Sequence, residues 1–180
     1  IVEFGHFALI VAFCASLVQM SVPLVGAQIG HRGLMNVSRY AASLQFFMIA
    51  ASFAALTFAF VTADFSVRLV ALNSHSLKPL IYKISGTSGN HAGSMLLWVL
   101  ILALFGACAA WFGKNLTKSF HARVLAVQGS IGAAFLAFTL FTSNPFLRLA
   151  TPPFDGQGLN PLLQDVGLAI HPPFLYLGYV

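Results

Sequence analysis

Residues 95–113 read MLLWVLILALFGACAAWFG, a stretch with no charged residue and no Ser, Thr, Asn or Gln. A helix rises 1.5 Å per residue, so about 20 such residues cross the ~30 Å hydrocarbon core of a bilayer. In lipid no water is available to backbone amides and carbonyls, and a helix satisfies them internally. This stretch therefore predicts a membrane-spanning helix. Working outward, residues 5–27, 41–63 and 125–143 have the same character, and none contains Asp, Glu, Lys or Arg. A further apolar run opens at about residue 172 and continues to Val180. The expected fold is all-α: a polytopic transmembrane helical bundle with four complete spans, the start of a fifth, and the character of a piece of a larger multi-span protein.

Composition agrees. Only 7% of the 180 residues are charged and the mean hydropathy is +0.86. A soluble domain needs roughly 25% charged residues to keep its surface in water. The net charge of +5 is not gathered into a basic, aromatic-interleaved run, so no nucleic-acid face is expected. Cys14 and Cys108 stand alone in apolar stretches without a CxxC motif and read as packing residues. The opening IVEFGHFALIV carries Glu3 where a signal peptide would be basic, and reads as a retained span.

The connecting segments set the expected orientation. Residues 28–40, QIGHRGLMNVSRY, and 114–123, KNLTKSFHAR, are basic and free of acid. Positive loops stay in the cytoplasm. The N-terminus and the two long loops, 64–94 and 144–171, are then expected on the outer side. Small residues four apart, Gly106 with Ala110 and Gly129 with Ala133, permit close helix approach.

The outer loops are long, rich in Gly and Pro, and hold apolar residues of their own, including Leu80, Ile81, Tyr82, Leu162 and Leu163. Such loops tend to bind something. The first carries His75 and His91; its GNHAGS reads as a turn into the third span with Ser94 as the helix cap. Either histidine can equally serve the local structure by bonding to backbone. In the second loop His171 precedes Pro172 and Pro173, and proline disfavours helical backbone at the residue before it. His171 is therefore expected in extended chain just ahead of the fifth span, an imidazole with apolar neighbours at the membrane boundary. A haem needs such a place, although a packing role fits the same residues. His31 and His121 fall in the basic loops and are expected to be solvated; His6 lies at the outer end of the first span.

NPFLRL, LNPLLQD, GLAIHPPFLYLGYV, YKISGT, GNHAGSMLLWVLILALFGA and FTSNPF together resemble the first section of the CcmF family, in order over the whole chain. The resemblance implies an inner-membrane protein of a bacterium, or of a mitochondrion, acting in cytochrome c maturation. With CcmH and CcmI, CcmF proteins receive haem from its carrier CcmE. They help join this haem b to the CxxCH motif of apocytochrome c. By the same resemblance His171 is an axial ligand of the delivered haem iron, with His91 as a lesser candidate. The tryptophan-rich loop and the other haem ligands would lie in the remaining C-terminal part of CcmF. Two departures from the family pattern stand out: in the first loop Ser88 and Ala92 replace a usual Trp and Glu, and in the second loop Val166 replaces a usual Pro. From their charge, Arg68, Lys78, Lys83 and Arg148 are candidate contacts for haem propionates. Two other classes fit a polytopic chain. A solute transporter would carry ionisable residues near mid-membrane, which these spans lack. The other is a structural subunit or split-gene fragment that binds no haem.

Overall fold

A computed structural model describes residues 1–113, 115–158, 160 and 164–180, with the side chain of Val166 excepted. Lys114, Leu159, Pro161, Leu162 and Leu163, and with them part of the LNPLLQD motif, lie outside the described residues. The described residues form seven helices: α1 (Val2–Ile29), α2 (Arg32–Val61), α3 (Arg68–Asn73), α4 (Leu80–Gly86), α5 (His91–Phe112), α6 (Lys118–Phe141) and α7 (Val166–Tyr179). Four of them, α1, α2, α5 and α6, are long and apolar enough to cross a membrane. Among the described residues no strand forms; the nearest thing to one is a single antiparallel bridge between Val67 and Arg148.

The four long helices pack in the cyclic order α1, α2, α5, α6, with α2 also meeting α6 across the middle. Leu9, Ile49, Leu56, Phe60, Leu96 and Leu136 are fully buried between them, while Phe7, Phe47, Phe105 and Phe138 face outward. Apolar residues on every face are what a helix in lipid needs, since both its neighbours and its solvent are apolar.

The helices run further than the hydropathy alone marks. The 28–40 segment, expected as a loop, is mostly the first turns of α2, and Arg32 and Arg39 are helical. Gly30 ends α1 in the left-handed region at φ 72°, a conformation that favours glycine. His31 then caps α2, its Nδ1 accepting from the Leu34 amide at 3.2 Å. His121 likewise has a partner, Nε2 lying 2.8 Å from the Ala109 carbonyl oxygen. Trp111 donates from Nε1 to Ser43 Oγ (2.7 Å) and takes the Arg39 guanidinium over its ring at 5.2 Å. These contacts close the short-loop end.

Inside the bundle three glutamines use the space that glycines leave. Gln19 is completely buried and donates to the Leu125 carbonyl at 2.8 Å and to Gln128 Oε1; Gln128 in turn donates to the Leu102 carbonyl at 3.0 Å. Gln19 lies over Gly129, Gln128 over Gly106 and Gln45 over Gly132. The small residues that predicted close helix approach are thus seats for amide side chains. Such interhelical bonds hold membrane helices together where no hydrophobic effect does.

Candidate functional site

The N-terminus, the 62–90 segment and the 142–158 segment meet at the long-loop end. Arg148 ties them: Nε donates to Glu3 Oε1 at 2.6 Å and Nη1 to Ser66 Oγ at 2.8 Å. Backbone bonds flank it, from the Arg68 amide to the Leu147 carbonyl (2.8 Å) and from the Leu149 amide to the Ser66 carbonyl (2.9 Å). His6 joins the same clamp, its Nε2 3.1 Å from Asn144 Nδ2 and its ring stacked on Phe146. The Arg148 guanidinium is therefore engaged by the fold itself.

The turn into α5 is built on Asn90. In extended backbone (φ −142°, ψ 162°), it accepts from the Gly93 amide at 2.8 Å and donates to the carbonyls of Gly86 (2.9 Å) and Thr87 (3.2 Å). Ser94 was the cap expected from sequence. It lies instead in the first turn, donating to the Ser88 carbonyl at 2.7 Å. Asn supplies both acceptor and donor to the turn, which a serine hydroxyl at position 94 cannot do for a helix that starts three residues earlier. Ser88 and Ala92 are both buried in this turn.

His91 opens α5 with its ring exposed and set edge-on to Phe138, 6.1 Å between centroids. It borders two spaces. One is a polar cleft of about 290 Å³ lined by Arg68, Asn73, Asn90, Thr142 and Asn144 among others. The other is an apolar groove of about 350 Å³ formed with Met95, Ala134, Phe135 and Phe138. Arg68 and His91 thus share one cleft.

Lys78 lies elsewhere, in a cleft of about 360 Å³ with His75, Leu77, Pro79 and Gln157. His75 is part of a clasp: Nδ1 accepts from the Leu77 amide at 3.2 Å, and Nε2 stands 3.4 Å from Asp155 Oδ2. Asp155 also accepts from Ser76 N (3.0 Å), Ser76 Oγ (2.6 Å) and its neighbour Gly156 N (2.7 Å). The Ser76 hydroxyl above all holds the Asp155 carboxyl below the usual carboxylate range. The four candidate cations and His91 do not converge on one point, and among them only Arg68 and His91 line the same cleft.

His171 is helical rather than extended. Asp165 caps α7, accepting from the Leu168 amide at 3.1 Å, and the helix runs through Pro172 and Pro173. The ring of proline fixes φ near −65°, which is itself helical, so the two prolines leave the carbonyls four residues before them without donors but do not forbid the helix. The expected start of the last apolar helix at about 172 moves back to Val166. α7 packs against α4 and α5. His171 is exposed on it, with Ile170, Phe174 and Leu175 also exposed nearby. A single imidazole with apolar neighbours fits one axial position of a haem. Among the described residues no group of three or more His, Cys, Asp or Glu could hold a bare metal ion.

α3, α4 and the Asn90 cap have no hydropathy signature in the sequence, whereas Gln19, Gln45 and Gln128 stand there as amides inside otherwise apolar runs.

Comparison with known proteins covers the full length. A 67% identical relative, the cytochrome c-type biogenesis protein ccl1 of Rhodobacter capsulatus, aligns over 100% of this chain and 28% of its own length. The cytochrome c-type biogenesis protein CcmF of Pseudomonas aeruginosa is 53% identical over 99% of this chain and 27% of its own. A solved structure of the cytochrome c haem lyase CcmF superposes with a TM-score of 0.86 at 26% identity, covering 99% of this chain and 28% of that one. The chain thus spans little more than a quarter of the length of these relatives, matching their N-terminal part. Residues 88–180, from the Asn90 turn to α7, match the family described as cytochrome C assembly protein, and the chain belongs to that family as the N-terminal part of a CcmF.

Proposed function

We propose that this part of CcmF belongs to a haem-binding component of a haem lyase, and that its long-loop end faces the outer side of a bacterial inner membrane. The lyase would take haem from its carrier CcmE. Working with CcmH and CcmI, it would help attach that haem to the CxxCH thiols of apocytochrome c. The observation that carries the reading is the likeness of 99% of this chain to part of a structure named as a haem lyase.

The residues of this chain would contribute binding and orientation. The His171 imidazole would offer a nitrogen lone pair to haem iron, and its apolar neighbours on α7 would offer contact to the porphyrin. Arg68, beside His91 in the cleft they share, has no side-chain ion pair among the described residues and is the cation best placed there to meet a propionate. Binding and orienting the haem would be the protein's share; the thioether chemistry belongs to haem and thiol.

The test is a full-length protein with His171→Ala, expressed in cells lacking the parent. The reading expects normal membrane insertion with a large loss of c-type cytochrome. Parental cytochrome yield from a normally inserted variant would remove His171 from haem handling.

A further inference from the structure

The Lys78 side chain has no counter-ion among the described residues. It is only 9% exposed, and the bond given to its Nζ is a 3.2 Å donation to the Asn73 carbonyl. An ammonium has three protons to donate, and burying it costs several kcal/mol unless a charge of opposite sign compensates. The chain has four acidic residues, and each is committed elsewhere. Glu3 pairs with Arg148, Asp64 accepts from Ser66, Asp155 is held by Ser76 and His75, and Asp165 caps α7.

The surroundings make the deficit sharper. Lys83 adds like charge, and burial first, then Lys83, pushes the Lys78 ammonium down to about 8 from 10.5. Gly86 lies directly beneath Nζ, 3.0 Å from where a Cβ would stand, so the amine is seated against backbone with no room to retreat. Yet Lys78 lines an open cleft with His75, Leu77, Pro79, Gln157 and Gln164. A buried cation without a counter-charge, lining a cleft by which an anion can enter, has the parts of an anion site.

We propose that the Lys78 cleft is a carboxylate-binding site whose anion comes from outside this chain. A singly charged carboxylate matches one buried ammonium; a phosphate dianion would call for the Arg or second buried cation that this cleft lacks. Two sources carry that chemistry. One is an Asp or Glu side chain of the sequence that the ccl1 relative carries beyond the 28% of its length matched by this chain. The other is a propionate of haem, and that source rests on the haem reading above.

The experiment uses full-length protein in detergent. Lysines are labelled with an amine-acylating reagent across pH 6–11, and Lys78 is quantified by mass spectrometry relative to exposed Lys118. Three samples are compared: haem-free, loaded with haem, and loaded with haem dimethyl ester, which lacks free propionates. Haem uptake is read separately from absorbance, so failure of haem to bind is distinguishable from failure of the site. A side-chain carboxylate predicts that all three samples show Lys78 protected, its midpoint above 10. Reactivity at pH 8 then falls roughly 100-fold below that of an amine half-deprotonated there. A propionate predicts that protection in the haem sample alone. A midpoint near 8 in every sample that takes up haem, and in the haem-free one, would overturn the proposal. As a second readout, Lys78→Met should leave the labelling of Lys118 unchanged where the fold is kept, and should lower haem retention only if the propionate source is correct.

Discussion

Gly93→Ala perturbs the turn that presents His91, and its cost follows from the geometry. A Cβ at Gly93 would stand 1.6 Å from the Thr87 carbonyl oxygen and 2.8 Å from its carbon. Both are backbone atoms, so no side-chain rotation relieves the contact, and the α4–α5 turn must open by more than an ångström. That opening strains the bonds which converge there: Gly93 N to Asn90 (2.8 Å), Asn90 to Thr87 (3.2 Å) and Ser94 to Ser88 (2.7 Å). Losing the cap costs about 1 kcal/mol. Forcing a methyl into a closed space adds about 1–3 kcal/mol, for a total of about 2–4 kcal/mol. Gly178→Ala serves as the control, because nothing lies within 4 Å of its Cβ position; removing a helical glycine there should be neutral or favourable by about 1 kcal/mol. The assay is reversible unfolding of the detergent-solubilised protein in a denaturing-detergent titration. A Gly93→Ala variant within about 0.5 kcal/mol of the parent, the level of an ordinary surface substitution, would refute the close approach of Gly93 to Thr87.

Three further outcomes are expected. Gln19→Leu should cost about 1 kcal/mol in the same assay, the usual worth of an interhelical bond in a membrane bundle, because Gln128 and the Leu125 carbonyl lose their donor; an unchanged stability would mean the amide chain carries no load. The clasp of Asp155 on Ser76 should loosen with acid. Its folded-state pKa lies below 3.8, so the stabilisation is present above that value and is lost as pH falls through the lowered one. Protection of the Ser76 and Leu77 amides, taken against the intrinsic exchange rate at each pH, should therefore fall in acid as the pH drops below 3.8 in the parent, and should be low and insensitive to pH in Asp155→Ala. Single cysteines at Ser76 and Gln157, in a background without Cys14 and Cys108, should react with an impermeant thiol reagent in intact cells, whereas those at Asn36 and Ser119 should react only after lysis. The reverse pattern would invert the orientation proposed for the long-loop end.

The membrane helices were legible because lipid imposes one requirement on long stretches, and residues 95–113 meet it without exception. Their ends were less legible. Hydropathy fades where a helix leaves the apolar layer, but hydrogen bonding does not, so α2 extends back through Arg39 to Arg32 and α6 starts at Lys118. At the candidate site, sequence marks residue types but not who meets whom. Arg148 looks like a free cation until Glu3, 145 positions away, is found 2.6 Å from it. Lys78 looks like a surface lysine until the fold buries it. Proline before a helix is a sound local expectation at His171, and the cap at Asp165 together with packing on α4 and α5 overrides it. The glycines of α5 and α6 predicted close approach, and what approaches is a glutamine side chain from a neighbouring helix.

The central claim is that His171 supplies an axial nitrogen to haem at the long-loop end. It is tested most directly by the absorption and resonance Raman spectra of purified full-length protein carrying His171→Gly, recorded before and after adding imidazole. Iron ligation sets spin state, so the variant should lose the low-spin signal of the haem bound at this end and regain part of it when free imidazole fills the vacated position. A variant that keeps the parental low-spin spectrum without imidazole would contradict the claim and leave His171 with a packing role on α7.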